Sequence, residues 1–208
     1  MASERRLTAT DRRRLIVRAA SELFIVRGYS GVSMDDVLAA VGGSKGTLYR
    51  YFCDKSALFR AAVESLCDEW SGPLHAFSPG GESLPATLTA LGEHFASVVL
   101  NPQAIALHRL VTAEAGRIPG IGDAFFEHGP AAGYAVLGRC LRQARDDGLI
   151  KVEDPARAAA QLYQAMLGDA QMRLLTDAPR KLTEAEVRAS IREAVRVFLH
   201  GVGVPRAD

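Results

Sequence analysis

The chain has 208 residues, 48% of them hydrophobic and 24% charged, which is enough apolar material for a packed core and enough length for a small head with a larger body. The formal net charge of +1 conceals an asymmetry: residues 1 to 60 hold 11 Lys or Arg against 6 Asp or Glu, whereas the rest hold 14 against 18. This composition excludes a disordered chain, and with no apolar run of membrane length and no apolar stretch after the basic start it predicts a cytosolic protein with no membrane partner. Cys53, Cys67 and Cys140 are odd in number and show no CxxC pairing, so neither a disulfide framework nor a zinc site is expected.

Apolar positions recur at helical spacing along the chain, and no stretch alternates with period two, so the expected fold is all-α. The first helix is predicted from about Thr10 to Arg27, with Thr8 and Asp11 as a capping pair and Gly28 ending it. Leu15, Ala19 and Leu23 form one apolar stripe of it, and Ile16, Ala20 and Phe24 the next; both are expected to be buried. Ser33, answered three residues on by Asp36, starts a short second helix ending near Val41. Gly42-Gly43 supplies a turn, and Ser44 caps a third helix through Phe52.

Beyond it, helices are predicted over 54–70 and 85–100, then in a stretch between Gly122 and Asp147 broken near Gly129-Pro130. Asn101-Pro102 and Asp154-Pro155 each read as an N-cap followed by proline in the first turn, and Thr183 with Glu186 reads as a capping box. Loops are expected at Ser71-Gly72-Pro73, Ser78-Pro79-Gly80-Gly81, Arg117 to Gly122 and Thr176 to Pro179.

Two short helices joined tightly make a helix-turn-helix, whose second helix reads DNA when it anchors by apolar side chains and offers polar ones. Leu48 and Phe52, one turn apart, are expected to face Val37 and the first helix, leaving Lys45, Thr47, Tyr49, Arg50 and Tyr51 outside. Lys45 and Arg50 can neutralise phosphates, Ser33 and Lys55 at neighbouring helix starts can clamp the backbone, and Thr47 and Tyr49 can touch base edges.

The stretch from Ser33 to Leu58, above all Ser44-Lys-Gly-Thr-Leu-Tyr-Arg-Tyr-Phe52 followed by Asp54-Lys55-Ser-Ala-Leu58, resembles the TetR/AcrR family of bacterial transcriptional regulators. The resemblance implies an N-terminal three-helix, homeodomain-like helix-turn-helix head over residues 1–53, its family-type extent reaching about residue 71. It further implies a larger C-terminal helical domain over 54–208 for effector binding and dimerisation. By carry-over, the DNA-contact positions fall on Ser33, Ser44, Lys45, Gly46, Thr47, Tyr49, Tyr51 and Lys55. Two departures stand out: Val37-Leu38 where the family usually has Ile-Ala, and Gly43 in place of an apolar turn residue, expected to loosen the packing or alter the contacts there.

Two stripes, Ala156, Ala159, Ala160, Tyr163, Met166, Leu167 and Ala170, then Val187, Ile191, Ala194, Val195 and Phe198, lie on the last two predicted helices. The resemblance implies that these helices pair with their copies in a homodimer matching a two-fold operator. It also implies a ligand pocket, for which the candidates are Trp70, Phe77, His94, Phe95, His108, Val111, Glu114, Phe125, Phe126 and Tyr134.

The expected partners are thus double-stranded operator DNA, a second copy and a small hydrophobic or amphipathic effector, with no cofactor. A ligand-insensitive regulator or an activator is the alternative. An enzyme is disfavoured, since no phosphate loop, dinucleotide fingerprint, nucleophile elbow or HExxH pair occurs. A metal sensor is disfavoured because His75, His94, His108, His128 and His200 are dispersed without clustered ligands.

Overall fold

In the computed structural model, which describes residues 8–75 and 83–202 and of 73–75 the backbone alone, the helical periodicity is realised as ten helices. They are α1 (Ala9–Arg27), α2 (Met34–Val41), α3 (Lys45–Tyr51), α4 (Lys55–His75), α5 (Leu84–Val99), α6 (Pro102–Glu114), α7 (Ile121–His128), α8 (Pro130–Asp146), α9 (Pro155–Leu175) and α10 (Glu184–Val202).

The capping residues do what their spacing predicts. Thr8 with Asp11 and Ser33 with Asp36 both close reciprocal capping boxes. At the start of α10, Thr183 Oγ1 accepts from the Glu186 amide at 3.3 Å while the Glu186 carboxylate accepts from the Thr183 amide at 2.9 Å. Asn101 Oδ1 accepts from the Ala104 amide, and Asp154 Oδ1 from those of Ala156 and Arg157. These caps satisfy amides that a helix start leaves without an internal partner.

Two expectations are corrected. The Leu15, Ala19 and Leu23 stripe is not the buried one: Leu15 is 40% exposed, and the inward face of α1 is Ile16, Val17, Ala20, Ser21 and Phe24. The buried face is centred on the Ile16, Ala20 and Phe24 row and widens toward Val17 and Ser21, which leaves the Leu15, Ala19 and Leu23 row at its margin. Nor does Ser71-Gly72-Pro73 form a loop, because α4 runs through it to His75. Proline's fixed φ is itself helical, so the chain can continue through it at the cost of one backbone donor and a clash with the preceding turn. The loop expected at 78–81 lies outside the described residues.

By internal contacts the chain forms two units. The first comprises the chain to Glu69 together with Arg109–Phe126. Its core includes Ile16, Phe24, Val37, Leu48, Phe52, Leu58 and Phe59, with the Phe24 and Phe59 rings edge to face at 5.0 Å. Arg60 donates to the carbonyls of Pro119 at 2.5 Å and Gly120 at 3.2 Å, fastening α4 to the turn before α7.

The second unit comprises Trp70–His108 and the chain from Glu127 onward. There α9 packs against α8, α10 and α5, around a core that includes Leu88, Leu91, Phe95, Leu137, Leu141, Leu162, Met166 and Ile191. Phe95 and Tyr134 both pack on the Tyr163 ring, with centroids 5.1 and 5.0 Å away. Gly92 permits the close approach of α5, since a Cβ there would stand 2.6 Å from Ile191 Cγ2 and 2.9 Å from Met166 Sδ. Gly92→Ala should therefore lower stability by about 1–3 kcal/mol, the usual cost of overpacking, with denaturant unfolding of the full chain as the measurement.

Candidate nucleic-acid interface

Local sequence marks where α2 and α3 begin. Ser33 Oγ accepts from the Asp36 amide at 3.1 Å, the Asp36 carboxylate accepts from the Ser33 amide at 2.8 Å, and the two side chains share a further short hydrogen bond. Arg27 Nη1, from the last turn of α1, adds an ion pair to Asp36 at 2.9 Å, so the start of α2 is tied to the end of α1. Ser44 Oγ accepts from the Thr47 amide at 3.2 Å and lies 3.0 Å from Thr47 Oγ1, which fixes the entry of α3.

These partners hold the Asp36 carboxyl down at about 2, first through the Ser33 side-chain and backbone bonds and then through Arg27. A carboxyl whose folded pKa is depressed adds stability above its unfolded value and loses it as pH falls through the folded one.

The third helix divides into an anchoring and an outward face. Leu48 and Phe52 are 2% and 4% exposed, and Val37 of α2 is 1% exposed, while Lys45, Gly46, Tyr49 and Arg50 are exposed. Thr47 and Tyr51 are half-buried, and Phe52 is the C-cap residue of α3, one position beyond its last turn. The Arg50 guanidinium lies 5.4 Å from the Tyr51 ring centroid, and Arg13 of α1 lies 5.2 Å from that of Phe52. Ser33 and Ser44 are exposed, with side chains engaged in the caps. Lys55 is half-buried at the start of α4, its Nζ donating to the Tyr29 carbonyl at 3.0 Å and lying 4.2 Å from the Tyr29 ring centroid.

Two residues that the sequence reading did not single out complete this surface: Arg12 and Asp35. Arg12 Nη2 donates to the Gly42 carbonyl at the turn between α2 and α3. Gly43 has φ +102°, and a Cβ there would stand 2.5 Å from that same guanidinium nitrogen. The glycine in place of an apolar turn residue therefore alters the contact by admitting Arg12. The glycine turn was legible; which cation would fill the space depends on how α1 crosses the turn. Asp35 accepts from Lys45 Nζ at 2.9 Å.

The pocket candidates are divided between the two units. Val111 and Glu114 are buried in the first, with Phe125 half-buried and Phe126 51% exposed. Phe95 is buried in the second, where Trp70, His94, His108 and Tyr134 are half-buried. Phe77 lies outside the described residues. Burial holds the His108 imidazole below its ordinary pKa, favouring its neutral form. His94 Nε2 is buried without a hydrogen-bond partner among the described residues.

The two C-terminal stripes are spent within the protomer. Ala159, Tyr163, Met166, Leu167, Ala170, Val187, Ile191 and Val195 are all buried in the core of the second unit, and Phe198 packs against it half-buried. The outer faces of α9 and α10 are lined mainly by other residues. Those faces include Ala165, Met172, Ala189 and Val197.

With this geometry established, sequence and structure comparisons agree on the class. Residues 16–62 match the profile described as bacterial regulatory proteins of the tetR family, and residues 86–201 match that of the AefR-like transcriptional repressor C-terminal domain. The chain belongs to the TetR family of DNA-binding transcriptional regulators, which are not enzymes. It is similar over 96% of its length to a TetR-family transcriptional regulator from Mesorhizobium loti MAFF303099, at 27% identity and TM-score 0.87 with all of that chain covered. The Flavonoid-responsive Regulator FrrA is similar over 94% of this chain and 98% of its own, at 29% identity and TM-score 0.78. The HTH-type transcriptional activator FasR of Mycolicibacterium smegmatis is 38% identical over 63 residues, 30% of this chain and 29% of FasR, so that likeness spans under a third of the relative.

Lowering the pH from about 4 toward 2 should destabilise the helix-turn-helix as Asp36 is protonated, and Asp36→Asn should shallow this acid limb, as read by pH-dependent thermal unfolding.

Proposed function

We propose that this protein is a cytoplasmic, ligand-responsive repressor that binds a palindromic operator as a homodimer and is released by a small hydrophobic or amphipathic effector. The carrying observation is the division of α3, with Leu48 and Phe52 buried as anchors while Lys45, Tyr49 and Arg50 are offered outward. Lys45 and Arg50 then engage phosphates, and Tyr49, 48% exposed, reaches base edges or thymine methyls. Ser33, Ser44, Thr47, Tyr51 and Lys55 flank this contact, and Gly46 leaves the backbone of α3 open to close approach, since nothing lies within 4 Å of where its Cβ would stand.

Dimerisation through the outer faces of α9 and α10 is supported by large apolar side chains left in solvent there, Met172 at 59% and Val197 at 56% exposure. Repression is supported by the AefR-like repressor profile matched by the body. A small-molecule effector is supported by the likeness to FrrA and by the unpartnered Nε2 of His94, a polar group suited to anchoring a ligand. An effector that prefers one shape of the body would shift the population of heads able to bind, and one to two kcal/mol of coupling changes affinity by about tenfold. The activator reading draws on FasR alone, and the position of the operator relative to the promoter separates the two.

Footprinting on DNA flanking the gene, with and without hydrophobic effector candidates including flavonoids, tests this reading. A two-fold symmetric footprint lost on adding one compound is expected; a footprint that no compound alters contradicts the sensing role. Lys45→Ala should weaken binding and reduce the salt slope by about one, and Tyr49→Ala should weaken it by about 5- to 100-fold, both with near-normal melting. Unchanged affinity in both variants contradicts the role of α3.

A further inference from the structure

Asp35 and Asp36 are neighbours in the first turn of α2, yet their carboxylates have different partners. Asp36 is taken up by the Ser33 cap and by Arg27. Asp35 takes no part in the capping box and instead reaches across to α3, where it accepts from Lys45 Nζ at 2.9 Å, with the two side chains 63% and 64% exposed. The pair therefore lies on the outward side of the helix-turn-helix, and the carboxylate holds Lys45 more firmly in its charged form. Lys55 provides the contrast: it too is tethered, but to a backbone carbonyl and an aromatic ring, neither of which cancels its charge.

We propose that Asp35 tunes the affinity of the DNA interface as a built-in competitor that pairs with Lys45 in the free protein and must yield it when a phosphate approaches. The proposal rests on the reading of α3 given above. Binding to arbitrary duplex depends almost wholly on cations replacing counterions at phosphates. Binding to the operator also gains from base contacts that Asp35 does not touch. A carboxylate occupying one cation therefore adds a similar cost to binding either duplex, and sets how tightly DNA of any sequence is held. Because the pair is exposed and screened, the effect is a modest factor, strongest at low salt.

Binding of full-length Asp35→Asn to a random-sequence duplex and to the footprinted operator should be titrated over a range of salt concentrations. Affinity for the random duplex should rise about three- to tenfold at low salt, with log K falling more steeply against log salt, by less than one phosphate contact, as salt screens the pair in the wild type. Affinity for the operator should rise by a similar factor, because the same pair is broken in both complexes. The change in slope should vanish in a Lys45→Ala background, which a purely structural effect on α2 would not do. Asp35→Ser, which also suits the first turn of a helix, repeats the test should the asparagine variant melt early.

A wild-type slope, or weaker binding to both duplexes in well-folded variants, would overturn the proposal. If Lys45→Ala weakens binding and Asp35→Asn changes nothing, the competitor role alone fails. If Lys45→Ala is itself silent, the reading of α3 fails with it.

Discussion

The burial of Leu48 and Phe52 is the contact on which the DNA-binding surface depends. A helix of seven residues has too few internal hydrogen bonds to persist alone, so α3 exists as a helix because its apolar side chains are removed from water in the core of the head. One turn separates the two anchors, which fixes rotation about the helix axis as well as position. Once that rotation is set, Lys45, Tyr49 and Arg50 are outward as a geometric consequence. The same argument explains why Val37 of α2 is buried while its neighbour Asp36 can face the Ser33 cap.

Around this anchor, polar groups set the angles between elements. Ser33 and Ser44 give α2 and α3 defined starting points, Arg27 ties the first of these to α1, and Arg12 reaches the turn between them. Each bond is exposed and individually modest, as surface pairs are. Together they restrict a turn that the Gly42-Gly43 pair would otherwise leave with wide conformational freedom. On this surface the basic balance of the N-terminal region resolves into cations with different duties: Arg12 and Arg27 hold the fold, Lys45 is paired with Asp35, and Lys55 is tethered with its charge uncancelled.

Much of this was legible in the sequence because it is local. A Ser or Thr three residues before an acid marks a helix start whatever the tertiary fold, and Thr8, Ser33 and Thr183 behaved accordingly. The anchors Leu48 and Phe52 were legible from helical periodicity joined to the family motif. What periodicity cannot supply is which of two adjacent apolar stripes faces inward, and so Leu15 was misplaced. It is equally silent on whether an apolar stripe is used within a protomer or between protomers: the stripe from Ala159 to Ala170 is filled by α5, α8 and α10 of the same chain. Contacts between residues distant in sequence, such as Arg12 with the Gly42 carbonyl or Asp35 with Lys45, depend on how helices cross and leave no mark in spacing. The pocket candidates were chosen by residue type on predicted helices, and their division between two units is a property of the tertiary contacts alone.

The central claim, that a preformed α2–α3 pair presents the outward side of α3 to DNA, is tested most directly by amide hydrogen exchange of the full chain, free and bound to its footprinted duplex. Added protection should concentrate at the start of α2, over Ser44 to Tyr51 and at the start of α4, with the core around Leu48 already slow in the free protein. Protection gained elsewhere while Ser44 to Tyr51 exchanges as in the free chain would contradict it.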